Sequence, residues 1–150
     1  MNLAPRDFPD ANPYGILAKP GRIYVTDAGA NTLNIVRPNG SIEIVAYFPN
    51  NRIADSTPTC VAEGPDGALY IGTLALADSL VFGPSGIVYR VDPSQLDPNN
   101  LSTVLNVAKP WATGLWPING CAFGPDGSLC VATLHQSQQE SSRRIRESSG

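Results

Sequence analysis

One short unit occurs twice almost verbatim, and it narrows what this chain can fold into more than any other feature. It reads Gly64-Pro65-Asp66-Gly67-Ala68-Leu69-Tyr70-Ile71 in mid-chain and Gly124-Pro125-Asp126-Gly127-Ser128-Leu129-Cys130-Val131 near the end. A degenerate copy, Lys19-Pro20-Gly21-Arg22-Ile23-Tyr24-Val25, stands near the start. Each copy sets a turn rich in Pro, Asp and Gly between two short apolar runs, the local pattern of a β-hairpin. Recurrence of that hairpin at intervals of roughly 45 to 60 residues predicts the blades of a β-propeller.

Taken in order, residues 1–12 form a polar lead-in without periodicity. The first blade spans about 13–49. Tyr14 to Ala18 and Arg22 to Thr26 read as paired strands, and Asp27 to Asn31 as a side-chain-capped loop. Thr32 to Arg37 alternates with period 2, Asn39-Gly40 signals a two-residue hairpin, and Ile42 to Phe48 closes a four-stranded meander. The second blade spans about 57–108. It carries an insertion from Leu74 to Pro84, a third strand at Gly86 to Pro93 and a polar loop at Ser94 to Asn100. Its fourth strand is expected at Leu101 to Val107, and Lys109 to Pro117 reads as a linker.

The third blade, about 118–135, shows only Ile118 to Phe123 and Ser128 to Thr133. Residues 136–150, rich in Gln, Ser, Glu and Arg, carry no strand or helix pattern and read as a disordered polar tail. The expected fold is therefore all-β, a partial propeller of about two and a half four-stranded antiparallel blades. Closed propellers use four to eight blades, and open edges are a pairing hazard. The pattern is that of a fragment of a longer protein, or of a chain that completes a ring by self-association through its open blade edges.

Composition supports this and excludes some partners. Fourteen Gly and fourteen Pro without a short period, beside 42% hydrophobic residues, fit many turns between short strands better than a solvated coil. A net charge of -3 argues against nucleic acid, whose phosphates call for a basic stripe. No apolar stretch is long enough to span a bilayer. Residues 1–10 lack the basic and apolar regions of a signal peptide, so the chain reads as soluble, with its compartment open. Cys60, Cys121 and Cys130, an odd count without C-x-x-C spacing, read as buried small hydrophobes rather than a disulfide framework.

The repeated G-P-D-G core and the Asp27-x-Gly29-x-Asn31 loop resemble the NHL and gluconolactonase/senescence-marker propeller superfamily. Pro13-Tyr14-Gly15-Ile16-Leu17, Arg22 to Gly29, Pro58-Thr59, Ile87 to Pro93 and Ala122 to Gly127 resemble in particular the ScyD/ScyE family. The resemblance covers Asn12 to about Leu134. It implies a six-bladed propeller and a protein commonly exported to a secreted or periplasmic address, and it implies no settled biochemical role.

In a propeller the first strand of each blade lines the central channel. Aligning the units stacks Tyr14, Thr59 and Asn119 at one equivalent position, which makes them the candidates for lining the channel and touching a ligand. Asn119 opens a stretch, Asn119 to Gly127, that resembles the N-G-x-A-F-S-P-D-G motif of gluconolactonase-like enzymes. There the Asn oxygen helps hold a divalent cation, so the resemblance implies a metal role for Asn119, with calcium possible in an intact parent protein. The alternative is a turn residue bonded to neighbouring backbone. The stacked partners are a phenol and a hydroxyl, and a hard-cation site needs carboxylates as well. For this chain alone no cofactor is expected.

Asp27, Asn31, Asp66 and Asp126 read as residues that stitch loops and turns to their own backbone. The single histidine, His135, excludes a Ser-His-Asp or multi-His set within the chain. Trp111 and Trp116 could form a ligand platform or cover a core edge. Three functions stay open. The first is a non-catalytic NHL-like binding or scaffold module, taking a small molecule or a protein at the channel face. The second is part of a divalent-metal-dependent lactonase or hydrolase. The third is a truncated product without function.

Overall fold

The computed structural model describes residues 10–134 and the backbone of a strand at 142–145. Three sheets follow one another along the chain. The first holds β1 (Pro13–Lys19), β2 (Arg22–Asp27), β3 (Thr32–Val36) and β4 (Ile42–Tyr47), paired in sequence order. The second holds β5 (Pro58–Glu63), β6 (Leu69–Thr73), β7 (Gly86–Val91) and β8 (Lys109–Leu115), again in order. The third holds β9 (Ile118–Phe123), β10 (Leu129–Thr133) and β11 (Ser142–Ile145). All pairings are antiparallel. The chain is a partial β-propeller.

The repeated turn explains its own sequence. In the first copy Gly64 N–H donates to the Ala68 carbonyl and Gly67 N–H to the Gly64 carbonyl, both at 2.9 Å. Gly67 sits at φ 78°, a left-handed conformation that favours glycine. Asp66 Oδ1 accepts the Ala68 N–H at 3.1 Å. The second copy repeats the device, with Gly127 at φ 77° and Asp126 Oδ1 accepting the Ser128 N–H at 3.1 Å. The two aspartates close turns.

Inner strands stack in the order β1, β5, β9, so β5 is covered on both sides and buried along nearly its whole length. Period-2 alternation then sends each side of the second sheet to a different core. Val61, Leu69, Ile71, Tyr89 and Val91 meet Tyr24, Leu33, Ile35 and Val45 of the first sheet and Phe48 just past its last strand. Cys60, Ala62, Tyr70 and Val88 meet Ile118, Leu129 and Val131 of the third. Tyr70 seals the second core, with its ring edge-on to both Trp111 and Phe123 at 5.0 Å. Trp111 therefore covers a core edge.

The structure corrects four expectations. Leu101 to Val107 is not a strand: Leu101–Asn106 forms a helix, α2. Asn100 caps it by accepting the Thr103 N–H at 3.2 Å, and Val104 and Val107 turn the same side inward. The fourth strand of the second blade is β8, so this blade runs to Leu115. Its apolar signal is masked by Pro110 and by Gly114, at φ 68°. The insertion at 74–84 contains a second helix, α1 (Leu76–Phe82).

The 136–150 segment was expected to lack strands, yet β11 pairs with β10 in register Leu129↔Ile145 to Ala132↔Ser142. An edge strand is recruited by backbone groups alone, so its residues need no alternating pattern. The rest of that segment, with His135, lies outside the described residues. Finally, Cys60 and Cys121 form a disulfide with Cα atoms 5.8 Å apart, and Cys130 is free. Their separation of 61 residues carries no local signature. Only the stacking of β5 on β9 brings the sulfurs together.

Candidate functional site

Strand pairing places the starts of β1, β5 and β9 at one end of the stack. Pro13 pairs with Asp27, Pro58 with Thr73 and Ile118 with Thr133. The β2–β3 loop, the β4–β5 connection and α1 therefore gather at this end. Asn31, in the left-handed region at φ 56°, ties two of them together. Its backbone carbonyl accepts the Phe48 N–H and its Oδ1 accepts the Thr57 N–H, both at 2.9 Å. Asp27 Oδ1 accepts the N–H groups of Asn12, Gly29 and Ala30 at 2.8 to 3.1 Å. Asp27 stitches its own loop, as expected; Asn31, expected to do the same, instead ties that loop to the β4–β5 connection, 26 residues on.

Tyr14 and Asn119 meet across the three inner strands, although 105 residues separate them. The Tyr14 hydroxyl donates to Asn119 Oδ1 at 2.7 Å. Both residues are exposed, Tyr14 by half of its surface. Thr59 lies differently from a ligand-facing residue. It is buried, and its hydroxyl donates to the Ile118 carbonyl at 2.6 Å, with the Gly72 carbonyl at 3.3 Å. The cause is its strand: β5 is covered by β1 on one side and β9 on the other, and a short hydroxyl there bonds backbone.

What remains open to solvent is a neutral ledge. The phenol oxygen can accept, Asn119 Oδ1 keeps a second lone pair, and its NH₂ carries two donors. The exposed Tyr14 ring adds an apolar face. Donors and acceptors without net charge beside an aromatic face suit a polyhydroxylated or amide-bearing small molecule. Asn119 supplies one amide oxygen, and among the described residues no group of three or more His, Cys, Asp or Glu is placed to hold a metal ion. A hard cation at Asn119 would need carboxylates from elsewhere.

A second recess of about 350 Å³ opens beside α1, lined by Arg52, Asp78, Phe82, Ser85 and Thr113 among others. The Arg52 guanidinium lies 5.0 Å from the Phe82 ring centroid. Asp78 is buried and accepts the N–H groups of Arg52, Ile53 and Ala54 at 2.8, 3.3 and 3.2 Å. It anchors the β4–β5 connection to α1. No sequence motif announces Asp78, because its partners are backbone groups some 25 residues away.

At the opposite end, Arg90 Nε and Nη2 donate to Asp66 Oδ2 at 3.1 and 2.9 Å, and the Tyr70 hydroxyl donates to the same oxygen at 3.0 Å. Burial acts to raise the Asp66 carboxyl, but the bonds from Arg90, the Ala68 N–H and Tyr70 outweigh it and hold the group below its ordinary value. Burial, with the carboxylate alongside, pushes the Tyr70 hydroxyl up. This cluster braces the second blade's turn against β7.

No family model matches the chain, and no curated protein matches it. Solved structures do. Virginiamycin B lyase from Staphylococcus aureus aligns with a TM-score of 0.59 at 21% identity, covering 83% of this chain and 35% of the lyase. Aldose sugar dehydrogenase from Streptomyces coelicolor, in a PQQ-bound form, gives 0.57 at 18% identity, covering 79% of this chain and 36% of its own. A putative gluconolactonase gives 0.55 at 20% identity, covering 86% and 46%. At these identities the likeness establishes the propeller fold. The chain spans between about a third and under half of these structures.

Proposed function

We propose that the chain is part of an NHL-like propeller of the ScyD/ScyE type. In this reading it serves as a non-catalytic binding module for a neutral, polyhydroxylated small molecule at the strand-start end. The observation that carries it is the exposed Tyr14–Asn119 pair. It presents several hydrogen-bonding positions and an aromatic face on a rigid strand platform, while Asp27 and Asp78 at that end are engaged by backbone amides. Binding with few ordered polar groups on a fixed scaffold is the usual economy of small-molecule sites. The Cys60–Cys121 disulfide supports an exported protein, since such bonds persist in oxidising compartments. Among the described residues no helix is long and apolar enough to cross a membrane.

The test uses D-glucose and D-glucono-1,5-lactone, both uncharged, as probes in calorimetric titration. Binding without turnover is expected, weakened at least tenfold by Asn119→Ala and less by Tyr14→Phe. Equal affinity in wild type and Asn119→Ala would overturn the assignment. A second reading, part of a divalent-metal-dependent lactonase, draws on Asn119 to Gly127 and on the likeness to a putative gluconolactonase. The described residues do not by themselves fit the cation it requires. Calcium-dependent opening of the lactone, abolished by a chelator, would favour it.

A further inference from the structure

The first sheet has two sides, and among the described residues only one is covered. Two cross-strand rows make up its other side: Ile16, Val25, Asn34 and Ile44 in one, Ala18, Ile23, Val36 and Ile42 in the next. Ile16 and Ile42 are each 67% exposed, Ile44 49% and Ile23 39%. A monomer rarely leaves so continuous an apolar face open. The second sheet holds the equivalent rows, Val61, Ile71 and Tyr89 beside Glu63, Leu69 and Val91. There the apolar members are buried, because the first sheet covers them. Over its inner three strands the open face thus repeats a face that a blade covers, with Ala18 at the position of Glu63. Ile42 and Ile44 of β4 have no buried apolar counterpart on β8, where exposed Pro110 pairs with Tyr89.

The far end of the stack shows the opposite defect. Gly15 has no room for a side chain: a Cβ there would lie 2.7 Å from the Thr59 carbonyl oxygen and 3.0 Å from Cys60 Cα. The next blade's inner strand fills the space. Gly120 is its counterpart in the third blade, and among the described residues a Cβ there would meet only the Ala132 Cβ, at 3.8 Å. Around it stand the small side chains of Ala122, Cys130 and Ala132, each at least partly exposed, and β11 continues their cross-strand rows with Arg144 and Ser142. The molecule therefore carries the protruding half of an inter-blade joint at one end and the receiving half at the other, and it uses that joint twice internally.

We propose that the occupant of the open first face is the third blade of a second copy of this chain, docked head to tail. The contact is heterologous, so pairs that close reciprocally form a ring of six sheets, and pairs that do not close add further copies.

Sedimentation velocity and light scattering on the 150-residue chain test this. Twice the chain mass, or a ladder of multiples, is expected; a monomer at all concentrations would overturn the proposal. Ile16→Glu with Ile44→Glu alters the head, and Gly120→Leu alters the tail. Both sites are open in the monomer, so far-UV circular dichroism should stay unchanged. Each variant alone should lose the closed dimer, and an equimolar mixture should recover a twofold mass through its one intact joint. Loss of association in the head variant with none in the tail variant would indicate head-to-head pairing and refute the geometry.

Discussion

Breaking the Cys60–Cys121 bond should destabilise the fold by an amount the structure sets. The bond ties β5 to β9 and joins positions 61 residues apart. In the chain-entropy account, releasing a closed loop of about 60 residues returns about 4 kcal/mol of freedom to the unfolded state at 25 °C. Domain stabilities are about 5 to 15 kcal/mol, so the loss is a large fraction of the whole. At a urea slope of about 2 kcal/mol per molar, the unfolding midpoint should fall by about 2 M. The assay is urea unfolding followed by circular dichroism, with and without reductant. The double variant Cys60→Ala/Cys121→Ala should reproduce the reduced midpoint. The chain has three cysteines, so thiol titration in denaturant should count one reactive thiol, Cys130, without reductant and three with it. Three thiols without reductant refute the pairing. One thiol together with an unmoved midpoint refutes the energetic argument, because the third blade would then unfold outside the cooperative unit.

Other substitutions test the remaining assignments. Thr59→Val keeps the shape but strips a buried hydroxyl from the Ile118 carbonyl, and should cost about 1 to 2 kcal/mol of stability in denaturant unfolding, which Thr59→Ser should largely avoid. Asp78→Ala leaves three backbone N–H groups without their acceptor; a loss of about 2 kcal/mol is expected, with faster amide exchange confined to Arg52, Ile53 and Ala54. Asp66 has a depressed carboxyl, so its contribution is complete above the unfolded value near 3.8 and disappears as pH falls through the lower folded value. The Arg90–Asp66 pair is about a third exposed, which limits the effect to under about 1 kcal/mol. Asp66→Asn should flatten the acid limb of the stability curve by that much and leave neutral stability lower by the same amount.

Much of this architecture is legible in the residues because its determinants are local. A turn that needs Asp to accept an amide and Gly at positive φ writes both into the sequence, and Gly64 to Gly67 and Gly124 to Gly127 do so twice. Period-2 alternation marks which side of each strand is buried, and the two turns fix the blade spacing. Asp27 is recognisable as a loop residue for the same reason, since its partners in the β2–β3 loop lie two and three residues away, whereas the Asn31 side chain bonds the Thr57 N–H, 26 residues on. The helix at Leu101–Asn106 was also written locally, in its Asn100 cap, but a run of Leu and Val between predicted strands is ambiguous by periodicity alone.

The remainder depends on strand stacking, which no local pattern encodes. Equivalence of position brought Tyr14, Thr59 and Asn119 into one set. It could not say that the middle member would be sealed between neighbours while the outer two reach across and bond. The same stacking joins Cys60 to Cys121, engages Asp78 with a distant loop and bares Ile16, Ile42 and Ile44. A repeat states what each blade is, because turn chemistry and alternation act over a few residues. Its two neighbours determine what each position faces, and that contact forms only when the blades pack.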